Sequence, residues 1–249
     1  MIASVYRTII DLDYHARFSK QANSKVNKNT ENALAEIEIL KIIECKKEPV
    51  IDVAIHEALV SLRINEKLYR HFFCIPNLLE DMVRGHLIPE GLSKFSDIKE
   101  IKTTSEGYDI FLKAAINTIN LKFNTVISKK RLTSADIWVA TDKLDQHSTL
   151  FRHTGGAHIA AIFNNQFSIF AEDVSRHYAI DKVIGLALQK KLDITQAMLL
   201  TSCRQTASTI SKAIHTKIPI VVSTSAVSSL AIENAKKIWY YSNWLCQAT

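Results

Sequence analysis

Two short runs restrict this chain more than anything else in it: residues 197–201 (A-M-L-L-T) and 218–222 (I-P-I-V-V). Both are apolar at nearly consecutive positions, whereas a strand buried on one face alternates. Continuous apolarity is what a parallel sheet requires, because helices cover both of its faces. A matching helix precedes the first run, where Ile180, Val183, Ile184, Ala187 and Leu188 recur as one apolar stripe. Residues 157–163 and 167–171 read as a hairpin around Asn164-Asn165-Gln166, and a long helical pattern over 136–152 stops at Gly155-Gly156. The order helix, hairpin, helix, strand, helix, strand, helix defines an α/β domain over residues 131–249.

The first half has another texture. Residues 18–32 carry almost no apolar side chains and read as a flexible linker, so that 1–32 form an N-terminal segment and linker. From Ala33 short β-like runs follow: Ile37, Ile39, Ile42 and Ile43 in one, then a hairpin of 58–64 with 67–75 around Asn65-Glu66. Leu78, Leu79, Met82 and Val83 have the spacing of a short helix, followed by G-H-L-I-P-E-G-L over 85–92. A further hairpin, 98–103 with 108–112, turns at Ser105-Glu106-Gly107. Residues 33–130 are thus expected to form a small α+β domain.

With 47% apolar residues in 249, the chain has material for a sizeable core. No apolar run approaches the roughly 18 residues of a membrane span, and the first residues include acids without a signal-type apolar stretch. A soluble cytoplasmic protein with no membrane partner is expected. Cys45, Cys74, Cys203 and Cys246 are scattered without C-x-x-C or zinc-type spacing, which suits a reduced compartment and no bound metal. The net charge of +6 is dispersed, apart from Lys129-Lys130-Arg131, so no nucleic-acid partner is expected. The chain has no G-x-x-x-x-G-K-[ST], G-x-G-x-x-G or G-x-S-x-G, and no H-x-E followed by P-C-x-x-C. Ordinary nucleotide loops, a hydrolase elbow and a zinc deaminase centre are all excluded.

Chemistry concentrates where strands give way to helices. Three junctions are polar: residues 172–177 (E-D-V-S-R-H), 202–204 (S-C-R) and 223–229 (S-T-S-A-V-S-S). In an α/β sheet such junctions gather at the carboxyl edge of the strands, where helix N-termini favour an anion such as phosphate. Ser202, Ser225 and Ser228 are candidates there, and equally ordinary helix caps. Arg176 and Arg204 are harder to attribute to capping, since a cation in the first turn opposes the macrodipole unless an anion lies beside it. That anion is Glu172, Asp173 or a ligand. His177 lies one turn before Ile180 on the inward stripe, either facing this cleft or satisfied within the structure. Lys182 reaches a phosphate or pairs with an acid such as Asp181. His158 follows Gly155 and Gly156, which either admit a ligand closely or simply close the preceding helix.

These residues resemble the formate dehydrogenase accessory proteins, the FdhD/NarQ family of sulfur carriers for the molybdenum cofactor. The likeness is carried by T-G-G-A-H over 154–158, E-D-V-S-R-H-Y-A-I-D-K-V-I-G over 172–185, L-L-T-S-C-R over 199–204 and I-P-I-V-V-S-T-S-A-V-S-S-L-A over 218–231. In the first half G-H-L-I-P-E-G-L resembles the family's G-x-L-x-x-E-G. The resemblance implies a three-layer α/β/α, cytidine deaminase-like core. It implies a site for a guanine nucleotide or the molybdenum bis-molybdopterin guanine dinucleotide cofactor, formed by Gly155, Gly156, His158, Asp173, Arg176, His177, Lys182, Ser202, Arg204, Ser225 and Ser228. It further implies a homodimer that passes sulfur, as a sulfurtransferase does, from a cysteine desulfurase to the cofactor of formate dehydrogenase.

Two departures from the family pattern bear on that chemistry. The family's C-G-x-C-G loop, whose cysteines hold the transferable persulfide, is replaced by S-K-K-R-L-T over 128–133, after the strand expected near 121–127. The C-terminal Arg-Gly-Gly segment is replaced by residues 239–249. Cys203 is then the candidate thiol of the site, expected at a helix start beside Arg204, where its pKa would be lowered.

Overall fold

The computed structural model describes residues 33–43, 46–92, 97–113, 132–238 and 245–247. The linker expected within 1–32, the strand expected at 121–127 and the substituted loop at 128–131 lie outside them, as do most of the residues after 238. The core of the second half is a five-stranded sheet of β7 (His158–Phe163), β8 (Ser168–Asp173), β9 (Met198–Thr201), β10 (Ile220–Ser223) and β11 (Leu245–Gln247), ordered β11-β10-β9-β7-β8. β9, β10 and β11 run parallel, and β7 runs antiparallel to both of its neighbours. β9 and β10 are buried at every residue, as their unbroken apolarity predicts.

Helices cover both faces. On one, α4 (Arg176–Gln189), α5 (Ala207–His215) and α6 (Ser229–Ile238) set Ile180, Val183, Ile184, Ile210, Ile214 and Ala231 against Ile162, Leu199 and Val221. On the other, α2 (Ser134–His147) packs Ala140 and Leu144 against Ile159, Ala161, Leu200 and Val222. Alternate residues of one strand thus feed two separate cores, the arrangement of an α/β/α sandwich.

In the first half, β1 (Leu34–Ile43) and β2 (Lys46–Ile55) form an antiparallel ribbon. A second sheet, ordered β4-β3-β6-β5, comprises β3 (Ala58–Ile64), β4 (Lys67–Cys74), β5 (Ile98–Thr104) and β6 (Gly107–Leu112). Helix α1 (Leu79–Leu87) buries Met82, Val83 and Leu87 against this sheet, and its other side packs on α4 of the large sheet. The two sheets are therefore joined through a helix pair.

The helix expected over 136–152 is instead two. α2 ends at Ser148, whose φ of −79° and ψ of 66° leave the helical region, and α3 (Thr149–Thr154) restarts immediately. The restart has a cause distant in sequence: the Glu172 carboxylate accepts from the backbone N–H groups of Thr149, Leu150 and Phe151 at 3.0–3.2 Å. A carboxylate at those free donors caps a new helix and is favoured by its dipole. Gly155 then closes α3 in the left-handed conformation, with φ of 66°.

Candidate functional site

The strand-to-helix junction after β8 is built by its acids. Asp173, the last residue of β8, accepts from Ser175 N–H at 2.9 Å, an Asx turn that swings the chain into α4. Its other oxygen takes Ile75 N–H at 3.1 Å and the Lys182 ammonium at 2.7 Å. Lys182 also donates to Ile75 C=O at 2.9 Å and to Asn77 Oδ1 at 2.7 Å, so all of its donors are engaged. Both side chains are 0% exposed. Burial raises the Asp173 pKa, against the pull of Lys182 and the two N–H groups. Asp173 and Lys182, expected to bind a ligand, are thus corrected to a buried structural pair that ties the segment after β4 to α4.

Arg176 has no counter-ion among the described residues. It is the first residue of α4, whose N-cap Ser175 makes no side-chain cap bond and whose first turn holds no acid. Glu172 is occupied by the α3 N-terminus and Asp173 by Lys182, so neither alternative compensates this guanidinium. Its Nε is buried without a hydrogen-bond partner among the described residues.

His158, at the start of β7, lies opposite Asp173 in register. Its pKa is lowered by burial and then by the charges of Arg176 and Arg204, which outweigh Asp173. His177 is lowered likewise by burial, Lys212 and Arg176, against Asp181 and Glu90. Arg176 thus acts on both imidazoles and Arg204 on His158, a cationic edge that biases both rings toward the neutral form.

The loops complete this edge by holding it together. Ser202 is tied to β7 in both directions: its N–H donates to Ile159 C=O and its Oγ accepts from Ile159 N–H, each at 3.0 Å. Gln205 N–H donates to Ala226 C=O and Ser228 N–H to Gln205 C=O, each at 2.9 Å, so the loops after β9 and β10 are laced together. Ser228 Oγ accepts from Ala231 N–H at the start of α6, and Ser225 N–H donates to Ser223 Oγ. Gly155 closes α3, a Cβ on it would meet nothing within 4 Å, and Gly156 packs beside Ile55.

Two expectations at the second junction are corrected. α5 begins at Ala207, so neither Cys203 nor Arg204 lies in its first turn; Arg204 is exposed on the preceding loop. Cys203 is 2% exposed, and burial raises its pKa despite hydrogen bonds and the charge of Arg176. It is a buried thiol beside Gln205, without the environment that makes a thiolate available.

Sequence reasoning missed a second charged cluster beside His177. Lys212 of α5 lies 2.7 Å from Asp181 Oδ1 and 2.6 Å from Glu90 Oε1, while His86 Nδ1 lies 2.8 Å from Asp181 Oδ2. Against burial, Lys212 and His86 lower the Asp181 pKa, and the two acids raise that of Lys212. Among the described residues no group of His, Cys, Asp and Glu is placed to hold a metal ion, and no helix is long and apolar enough to cross a membrane.

Fold and edge together define a three-layer α/β protein whose central sheet carries a cationic rim at the carboxyl end of its parallel strands. The chain belongs to the FdhD/NarQ family, whose model matches residues 113–239. It is 29% identical over 216 residues to the sulfur carrier protein FdhD of Wolinella succinogenes, covering 75% of each chain. It is 26% identical over 214 residues to that of Methanothermobacter thermautotrophicus, covering 78% of this chain and 86% of the relative. In structure it resembles a putative formate dehydrogenase accessory protein from Desulfotalea psychrophila, with a TM-score of 0.76 at 23% identity over 87% of this chain and 94% of the other.

Proposed function

We propose that this protein is a cytoplasmic accessory factor of formate dehydrogenase maturation that binds the molybdenum bis-guanine dinucleotide cofactor, or a guanine nucleotide, at the cationic rim. One observation carries this reading: Arg176 stands at an uncapped helix N-terminus while both neighbouring carboxylates are engaged elsewhere. A phosphate group supplies the missing anion, and the dipole of α4 favours it there. Arg204 and the imidazoles of His158 and His177 supply further donors, and Ser225 lines the neighbouring loop. The order of the five-stranded sheet, with its hairpin strand β7 antiparallel to β9, supports a cytidine deaminase-like core. A homodimer working with a cysteine desulfurase and formate dehydrogenase completes this reading, by analogy with the family.

A second reading is favoured by the thiols: a binding paralogue that does not transfer sulfur. Cys74 and Cys203 are buried; burial and the nearby Asp173 push the Cys74 thiol up to about 12 despite Lys182. The C-G-x-C-G loop is absent from the sequence. One experiment separates the readings: restoration of formate dehydrogenase activity in a strain lacking its own accessory protein, combined with a GDP titration. Binding with restored activity supports maturation; binding without it supports the paralogue. No binding overturns both.

A further inference from the structure

The loop between β9 and α5 directs three buried polar side chains at one backbone carbonyl. Cys203 C=O accepts from Ser223 Oγ at 2.8 Å, Gln205 Nε2 at 3.1 Å and Thr201 Oγ1 at 3.3 Å. Gln205 Nε2 also donates to Thr201 Oγ1 at 2.6 Å, which ties the donors to one another. Thr201 ends β9 and Ser223 ends β10. Thr201 and Gln205 are 0% exposed and Ser223 is 2% exposed.

Packing alone does not call for Gln205. Its amide nitrogen is engaged by this carbonyl, while its Oε1 is buried with no partner among the described residues, a destabilising arrangement. Turning the amide over gives no relief, because Oε1 would then face the Cys203 oxygen. An apolar side chain of similar volume, such as methionine, fills the same space and leaves no oxygen unpaired. What the amide yields is the direction of one peptide.

In a trans peptide the C=O and the following N–H point in opposite directions. Holding Cys203 C=O inward therefore turns Arg204 N–H outward. That N–H has no hydrogen-bond partner among the described residues, and Arg204 is exposed. The loop is fixed on both sides of it: Ser202 is bonded twice to Ile159, and Gln205 is bonded through its N–H to Ala226 and through its C=O to Ser228. Strand register sets the place. Thr201 pairs with Ala160 and Ser202 bonds Ile159, so the Cys203–Arg204 peptide follows on toward His158, which lies opposite Asp173 at the start of the junction into α4. A backbone donor of fixed direction thus stands on the same residue as the Arg204 guanidinium.

Resting on the reading of the rim as a phosphate site, we propose that the Cys203–Arg204 peptide donates its N–H to a phosphate oxygen there, and that Gln205 is the residue that positions it. The donor is aimed before the ligand arrives, so binding does not have to reorganise the loop. An exposed arginine side chain supplies charge without such direction, because it must give up rotamer freedom to form each bond.

The test combines amide hydrogen exchange of the full chain, with and without inorganic pyrophosphate, and pyrophosphate titration of wild type, Gln205→Met and Ser223→Ala. In wild type, saturating pyrophosphate should slow exchange at the Arg204 amide by about tenfold or more, as a new hydrogen bond to an anion requires. Each variant should bind pyrophosphate about tenfold more weakly. Gln205→Met should keep its melting temperature, since it also removes the buried unpaired oxygen, and a binding loss there is then not a folding loss. An Arg204 amide that exchanges equally fast in free and saturated wild type overturns the proposal whatever the variants do. Variants that bind as wild type does overturn it too, and a Gln205→Met protein that loses stability but keeps its affinity makes Gln205 structural. A wild-type protein that does not bind pyrophosphate overturns the phosphate reading of the rim instead.

Discussion

Gly85 of α1 and Gly185 of α4 meet backbone to backbone. A Cβ added to Gly85 would fall 1.9 Å from Asp181 C=O, and one added to Gly185 would fall 1.8 Å from Asp81 C=O. No side-chain rotation relieves either clash, so the helices must separate. Separation also strains the His86–Asp181 contact that crosses the same interface. Gly85→Ala and Gly185→Ala are each expected to lower stability by about 2–3 kcal/mol. The double variant should lose less than the sum, because the first substitution already opens the crossing. Urea unfolding checks both; additive losses would show that the glycines are not one contact.

Arg176 should behave oppositely in stability and in binding. As a cation at a helix N-terminus, with no acidic partner among the described residues, it opposes the macrodipole. Arg176→Ala is therefore expected to leave stability unchanged or raise it by about 0.5 kcal/mol, while weakening pyrophosphate and GDP binding by about tenfold to a hundredfold. Isothermal titration with thermal unfolding of the same samples checks both. A variant that loses stability and keeps its affinity would make Arg176 a structural residue.

The buried acids set an acid limit. The folded pKa values of Asp181 and Glu90 are lowered, so their contribution to stability is fully present above their unfolded values of about 4. It is lost as pH falls through the lower folded values. Asp173 and Asp81 are raised and act in the other direction, so the difference between wild type and Asp181→Asn is the informative quantity. That difference should be large at pH 7 and shrink toward pH 3. A difference independent of pH would mean that the Asp181 charge contributes nothing.

The residues over 172–185 divide what the sequence made legible from what it did not. Apolar runs and the α4 stripe are local patterns, and β9, β10 and α4 follow from them directly. The polar members of the same string read as one functional group, but most are structural: Glu172 caps α3, Asp173 and Lys182 pair, Asp181 anchors Lys212 and Gly185 crosses Gly85. Arg176 and His177 have no such structural role among the described residues and belong to the proposed ligand site. The break at Ser148 was illegible because its cause, Glu172, is more than twenty residues away. Lys212 reads as an ordinary solvated lysine, and its burial depends on partners 31 and 122 residues distant.

Cys203 should be inert. Its thiol is buried with a raised pKa and lies before α5 rather than at its N-terminus, so little thiolate is available at neutral pH. Incubation with a cysteine desulfurase and cysteine should leave no sulfur adduct on Cys203 by intact-mass and peptide analysis, and iodoacetamide should modify it far more slowly than in the urea-unfolded chain. A persulfide on Cys203 would restore sulfur transfer through this residue.

Ligand binding at the rim should strengthen as pH falls. Burial and the charges of Arg176 and Arg204 lower the His158 pKa in the free protein, and burial with Lys212 and Arg176 does the same for His177. Both imidazoles then lie below the ordinary value of about 6.5 and are mostly neutral at pH 7. A phosphate placed among these groups supplies the negative charge that favours imidazolium, raising both pKa values in the complex. By linkage the complex binds more protons than the free protein, so affinity for pyrophosphate or GDP rises as pH falls from 8, until the free imidazoles protonate on their own. Proton uptake is measured from binding enthalpies in buffers of different ionisation enthalpy. His158→Gln should reduce the uptake and flatten the pH profile while retaining binding at pH 8. A profile that is flat in wild type, or falls with decreasing pH, would place the phosphate away from both histidines.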